Sequence, residues 1–205
     1  MSAMKPSGPL TLAAIALLGP FVGGCEGVLG IQDAEIDPQF EAATASPCEV
    51  YCSTVADSCT AEDAVFTNRS TCLAYCERLP PGDEGDAEGN SVACRLTQAE
   101  LAAATGEPDV HCPLAGPGGD GTCGDNCESY CDVFAGVCTT RFEQGYADVA
   151  DCVDACDNDT PDLGGYDTSM DEGDSIQCRL WHLSAAAVDP TFHCVHADGE
   201  NPCVD

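Results

Sequence analysis

Three of the four histidines lie close together near the end of the chain, and imidazole is a side chain that binds transition metals. His193 and His196 are three residues apart, and His182 lies one turn after Cys178 on a predicted helix. These three side chains are candidate ligands for zinc or another transition metal. The alternative is that His193 packs beside a disulfide while His182 and His196 are ordinary surface residues.

Acidic loops offer a second candidate cation site, because carboxylate oxygens suit a hard cation such as calcium. One cluster contains Asp157, Asp159 and Asp162, and another lies within 83–88. However, Pro161 occupies a position where an EF-hand loop has an oxygen ligand, and 36 acidic residues produce clusters by composition alone. A solvated acidic surface is therefore the alternative to calcium binding.

Motifs of known catalytic chemistry are missing from the sequence. It contains no G-x-S-x-G nucleophile elbow, no H-E-x-x-H zinc motif and no P-loop. The glycine-rich segment 116–121 formally matches G-x-G-x-x-G, but it follows no predicted strand and contains Pro and Asp. It predicts a turn between two parts of the chain. We therefore predict a protein that is not an enzyme, has no catalytic residues and uses no cofactor.

Cysteine content indicates the compartment in which the chain folds. Seventeen cysteines among 205 residues would be a liability in a reducing cytosol, but they can form a disulfide framework in an oxidising compartment. Cys-x2-Cys knuckles are missing, so disulfides are favoured over metal–thiolate ligation. The 36 acidic residues face only six Lys or Arg. Because such a surface repels phosphates, nucleic acid is not an expected partner.

The N-terminus is typical of an exported bacterial protein. Lys5 precedes an apolar run over 10–22, which is too short to cross a bilayer and predicts a signal peptide. The run ends in Val22-Gly23-Gly24-Cys25, which resembles a lipobox, and the resemblance implies lipidation of Cys25, with palmitate among the lipids. An ordinary secretory cleavage nearby is the alternative. Because seventeen is odd, removing Cys25 leaves sixteen cysteines that can all pair.

The remaining cysteines fall into two matching sets, which predicts a duplication. Their successive gaps are 4, 7, 13, 4, 18, 18 and 11 in the first set and 4, 7, 14, 4, 22, 16 and 9 in the second. The predicted organisation is a lipoprotein signal peptide over 1–24, a lipidated cysteine and flexible tether over 25–47, and cysteine-rich repeats over 48–123 and 124–205.

The alignment of the two repeats also places their histidines. Gln98 and Leu114 of the first repeat stand where the second has His182 and His196. Only the remaining first-repeat histidine, His111, has a counterpart, His193. A site made of three imidazoles would therefore belong to the second repeat alone.

Each repeat opens with Cys-x3-Cys on a predicted helix, since Cys127, Cys131 and Cys138 share one helical stripe. A second Cys-x3-Cys follows some twenty residues later. This pattern resembles α-hairpinin, in which two antiparallel helices are joined outer cysteine to outer and inner to inner. The resemblance implies four disulfides: Cys48–Cys76, Cys52–Cys72, Cys127–Cys156 and Cys131–Cys152.

The other cysteines leave several pairings open. If a later helix is tied to the hairpin and each tail closes on itself, the expected pairs are Cys59–Cys94, Cys138–Cys178, Cys112–Cys123 and Cys194–Cys203. That helix is predicted over 96–104 and 180–188, after a loop rich in glycine and acidic residues. The predicted fold class is mainly α, small and disulfide-rich, with two tandem helical-hairpin units and long loops.

The whole repeat is similar to cysteine-rich repeats of secreted lipoproteins from myxobacterial-type bacteria, and that resemblance implies no activity. We predict a lipid-anchored extracytoplasmic structural or binding module in the cell envelope, at the outer membrane. Its expected partners are the membrane, through the anchor, and an unidentified protein. The alternative is a metal-binding surface protein that uses the three histidines or the acidic loops.

Overall fold

The computed structural model of the protein describes residues 45–204. These residues belong to one compact unit over 39–205, and within the described part they form helices and loops without a strand. The predicted mainly α, disulfide-rich class is confirmed. The helices are α1 Pro47–Ser58, α2 Arg69–Cys76, α3 Val92–Thr105, α4 Pro108–Ala115, α5 Asn126–Val137, α6 Thr139–Gly145, α7 Val149–Asp159, α8 Ile176–Ala186 and α9 Pro190–Ala197, with a short 3₁₀ helix at Ala61–Asp63.

Side-chain caps set where the helices begin. Ser46 and Glu49 form a capping box at the start of α1, which satisfies backbone N–H groups that have no partner inside the helix. Ser91 and Ser175 cap α3 and α8 with their hydroxyls alone, each accepting a hydrogen bond from a backbone N–H three residues later. The two long later helices therefore begin at matching points of residues 48–123 (the first half) and 124–205 (the second half).

Each half contains the expected pair of cysteine-joined helices. The structure pairs the outer and inner cysteines of α1 with α2 and of α5 with α7, with Cα–Cα distances of 5.7–5.9 Å. These distances lie in the ordinary range for disulfides. The four bonds are those that the hairpin resemblance implies: Cys48–Cys76, Cys52–Cys72, Cys127–Cys156 and Cys131–Cys152.

The other four expected pairs are wrong. In place of Cys59–Cys94, Cys112–Cys123, Cys138–Cys178 and Cys194–Cys203, the structure has Cys59–Cys112, Cys94–Cys123, Cys138–Cys194 and Cys178–Cys203.

Two short helices that we did not predict, α4 and α9, explain this difference. In the first half, α4 places Cys112 with its Cα 5.6 Å from that of Cys59, at the end of α1. Cys94 lies in the first turn of α3 and instead meets Cys123, with a Cα–Cα distance of 5.5 Å. The second half has the same order of bonds, with α9 in the place of α4.

A single hydrophobic core contains buried side chains from both halves. Corresponding tyrosines join the first helix of each half to the end of its last helix, because Tyr51 donates to the Ala115 carbonyl and Tyr130 to that of Ala197. The halves also share a backbone hydrogen bond, from the Thr168 N–H to a carbonyl of the first half, at 2.8 Å. Their packing is therefore that of one body.

The segment 116–121 is a turn, as predicted, but much of it is buried. Gly119 has a φ of +87°, and a Cβ at this position would lie 2.0 Å from the Cys123 carbonyl oxygen. Glycine is required there because the backbone makes both a left-handed turn and a close approach.

The predicted signal peptide, the lipidated cysteine and the tether up to residue 44 lie outside the described residues. Pro47, placed at the end of the tether by sequence, is instead the first residue of α1. None of the helices within 45–204 is both long enough and apolar enough to span a membrane.

Candidate functional site

The candidate site consists of the three histidines on α8 and α9. The two helices pack against each other, and their side chains bring the His182 and His193 Nδ1 atoms to 3.0 Å. The His196 ring is also near, with its centroid 4.8 Å from that of His182. The structure therefore brings together the three residues that the sequence suggested. His182, however, is buried and not a surface side chain.

A backbone carbonyl fixes the proton on His182. Its Nε2 lies 3.2 Å from the Asp171 carbonyl oxygen, and because a carbonyl can only accept, Nε2 carries the hydrogen. The Nδ1 of His182 therefore carries a lone pair, and it accepts a hydrogen bond from the Nδ1–H of His193. Burial lowers the pKa of His182 to about 4, with the neighbouring His196 and His193 as smaller causes. Burial also lowers the pKa of His193.

His196 is held by a different carbonyl. Its Nδ1 donates to the backbone oxygen of Asn201, so its Nε2 is the ring nitrogen with a lone pair. The exposed Phe192 ring lies edge-on to His193 and His196, with centroid distances of 4.9 and 5.1 Å. The Trp181 ring also packs against the cluster, with its centroid 4.7 Å from that of His182.

The first half has a simpler arrangement at the matching place. The Nδ1 of His111 lies 2.9 Å from Oε1 of the buried Gln98, and an amide oxygen can only accept, so the histidine donates. Gln98 therefore takes the place of His182, as the sequence alignment indicated. Both halves thus have a hydrogen-bond acceptor at this position, and in the first half that acceptor is not an imidazole.

Sets of three metal-binding side chains that converge within residues 45–204 all include a disulfide sulfur. One set joins His182 to Cys178 and Cys203, which are bonded to each other. The other joins Asp125 and Asp157 to Cys127, which is bonded to Cys156. A disulfide sulfur is not the thiolate that binds metals. The three imidazoles do not form such a set in the structure, because their nitrogens do not all lie within 4.8 Å of one another.

The acidic loops do not form a calcium cage within the described residues. Both carboxylate oxygens of Asp162 accept hydrogen bonds, from the side chains of Asn126 and Gln177 and from the Gly164 N–H. Burial raises the pKa of Asp162, but these donors outweigh it and hold that pKa below its usual value. Its oxygens are therefore already satisfied by N–H groups. Asp157 and Asp159 do not converge with it on one point.

Arg95 is a buried residue that the sequence analysis missed. Its side chain is 0 % exposed, and its guanidinium donates to the carbonyls of Gly116 and Pro117 and to the Ser129 hydroxyl. It thereby holds the turn at 116–121 against both halves. The sequence does not indicate this role. Arg179 lies in the same Cys-Arg-Leu sequence in the second half and makes none of these bonds.

Comparison with known proteins gives one partial match. Residues 32–126 match the family model described as the BfoA family C-terminal domain. The match covers the first half and ends at the start of α5. No curated protein and no solved structure gives a significant match. The first half is thus a disulfide-rich domain similar to that family, and the second half has the same order of disulfides as the first half.

Proposed function

We propose that the protein is a lipid-anchored extracytoplasmic module with a structural or binding role, and that it is not an enzyme. The observation that carries this proposal is the disulfide framework, in which all sixteen cysteines of residues 45–204 are paired. Such a framework forms in an oxidising compartment and persists there. The disulfides stabilise a small helical body whose hydrophobic core alone would contribute little stability.

Pairing of sixteen cysteines leaves Cys25 for another role. It is the last residue of the sequence that resembles a lipobox, and we propose that it carries the lipid. The tether then holds the acidic body away from the membrane surface, which suits presentation to a partner protein. In bacterial lipoproteins, Asp after the lipidated cysteine often causes retention in the inner membrane. Glu26 stands at this position here, so we propose the outer membrane as the destination.

The same order of disulfides in both halves supports an origin by duplication. In each half the first cysteine pairs with the fifth, the second with the fourth, the third with the seventh and the sixth with the eighth. Matching tyrosine–carbonyl bonds add a second correspondence. We infer two copies of one unit that now share a core.

Metabolic labelling tests the anchor. The full chain is expressed in a bacterium with an alkyne-tagged palmitate, and we expect label on the mature protein. The Cys25→Ala variant should lose the label and accumulate as the uncleaved precursor. The matched control Val22→Leu, which brings the segment closer to the usual lipobox, should keep it. Equal labelling of Cys25→Ala and the wild type would refute lipidation at this residue.

A further inference from the structure

We propose that His182 and His193 form the core of a binding site for a divalent transition-metal ion such as Zn²⁺, with His196 as the third ligand. The site lies on the partly exposed face shared by α8 and α9. The proposal goes beyond the anchoring and structural role given above, because it assigns a ligand to the protein and places it in the second half.

The outer contact of the buried His182 already matches that of a metal-binding histidine. Such histidines typically donate the N–H that does not face the metal to a carboxylate or a backbone carbonyl, which fixes the tautomer. His182 does this through Nε2 to Asp171, while Nδ1 of His196 donates to Asn201. The nitrogens left with lone pairs are Nδ1 of His182 and Nε2 of His196.

The distance between the two Nδ1 atoms is close to the one that a metal needs. Zinc–nitrogen bonds of about 2.0–2.1 Å at a tetrahedral angle separate two ligand nitrogens by about 3.3 Å. His182 and His193 have theirs at 3.0 Å, so the pair has to open by a few tenths of an ångström. Its ring centroids are 5.2 Å apart, which means that the nitrogens face each other along a hydrogen bond.

Binding replaces that hydrogen bond. The proton leaves Nδ1 of His193, and Nε2 of the same ring carries a proton instead, so both Nδ1 atoms offer lone pairs and the total number of protons is unchanged. His193 is the ring that tilts, because it is partly exposed while His182 is buried. His196 lies three residues later on the same face of α9, and in the structure its Nδ1 is held by the Asn201 carbonyl. Rotation of its side chain breaks this contact and brings Nε2 to the ion.

Two features of the chain favour a cation at this place. Imidazole is a preferred ligand for zinc and copper, whereas oxygen ligands suit calcium and magnesium. The formal net charge of −30 raises the local concentration of cations around the whole surface. Carboxylates thus attract the ion without selectivity, and the histidines select its type.

The first half provides a matched control within the same molecule. Gln98 occupies the position of His182 and keeps a hydrogen bond to His111 at 2.9 Å. His182→Gln therefore removes a metal ligand while leaving an acceptor that this fold already uses. His111→Gln removes a histidine of the first half and leaves the proposed site intact.

The test is isothermal titration of Zn²⁺ into the full chain, produced in an oxidising compartment and purified in detergent. Excess Mg²⁺ in the buffer occupies the carboxylates. We expect one Zn²⁺ per chain, unchanged in His111→Gln. In His182→Gln we expect a loss larger than the roughly 100-fold that removal of an outer contact causes. Circular dichroism should show equal helix content in all three proteins.

Nuclear magnetic resonance of ¹⁵N-labelled histidine rings gives the second measurement. Zinc should shift Nδ1 of His182 and His193, and Nε2 of His196. The proposal would be overturned if Zn²⁺ showed no binding in the presence of excess Mg²⁺. It would also be overturned by zinc affinity in His182→Gln equal to that of the wild type, or by shifts confined to other histidine nitrogens.

Discussion

Arg95 provides a sharp test of how the two halves are held together. The change is Arg95→Met, which keeps an unbranched side chain and removes the guanidinium. In the structure this group donates to Gly116, Pro117 and Ser129, and to the Ser91 carbonyl, at 3.0–3.2 Å. No carboxylate is among its hydrogen-bond partners within the described residues. The charge is therefore satisfied by backbone and hydroxyl oxygens.

The expected cost follows from what each partner keeps after the change. The Pro117 carbonyl still accepts from the Tyr75 hydroxyl, at 3.1 Å, and the Ser91 carbonyl still accepts a backbone N–H. Gly116 loses its described donor, and one buried carbonyl without a partner costs about 1–3 kcal/mol. For comparison, breaking a buried ion pair costs about 3–5 kcal/mol, because it leaves a buried charge without a partner, and Arg95→Met leaves no such charge. Since most partners keep a second bond, we expect a loss of about 2–3 kcal/mol.

The assay is guanidinium unfolding with all disulfides intact, followed by circular dichroism and the fluorescence of the single tryptophan. Arg179→Met is the matched control, because Arg179 makes none of the Arg95 hydrogen bonds: its Nε has no partner within the described residues, and its Nη2 lies 3.9 Å from Asp174. It should cost less than Arg95→Met, because fewer buried hydrogen bonds are lost. If Arg95→Met were as stable as the wild type, or if Arg179→Met cost more, the role given to Arg95 would be wrong.

Three further outcomes are expected. Residues 48–123 and 124–205, produced separately, should each lose helix content and cooperative unfolding, because their shared core would be exposed; two independently stable halves would contradict this. Non-reducing peptide mapping should find Cys59 joined to Cys112, and a bond from Cys59 to Cys94 would contradict the structure. Burial raises the pKa of all five tyrosines, so the folded state keeps more protons than the unfolded state above about pH 10. The free energy of unfolding should therefore fall as pH rises past 10, and the phenolate absorbance of the four fully buried tyrosines, Tyr51, Tyr75, Tyr130 and Tyr166, should appear only with unfolding; phenolate absorbance from all five tyrosines in the folded protein near pH 10 would contradict it.

The hairpin disulfides could be predicted because local spacing decides them. Two cysteines four residues apart lie on one face of a helix, and two such helices can meet in only a few ways. The bonds of Cys59 and Cys138 could not be predicted in this manner, since they depend on α4 and α9. Each of these helices begins at a proline, Pro108 and Pro190, and proline at the first position of a helix is a known signal. That signal is present in the sequence at both positions.

The histidine cluster was only partly accessible from sequence. The spacing of His193 and His196 places them on one side of a helix. Their contact with His182 depends on how α8 and α9 pack, and the role of the Asp171 carbonyl depends on loop geometry. The burial of Arg95 had no local signal, because the same Cys-Arg-Leu sequence in the second half leaves its arginine without these partners.

The order of the disulfides also determines what a single protease cut can do. Within each half the disulfide-closed loops overlap, so that every peptide bond from 48 to 123 and from 127 to 203 lies inside at least one loop. A cut in either range leaves the fragments covalently joined. Between these ranges, only the bonds from Cys123 to Cys127 are bypassed by no disulfide, and Gly124 and Asn126 in that stretch are buried. The body of the protein can therefore survive nicking of its long acidic loops and still remain a single covalent particle.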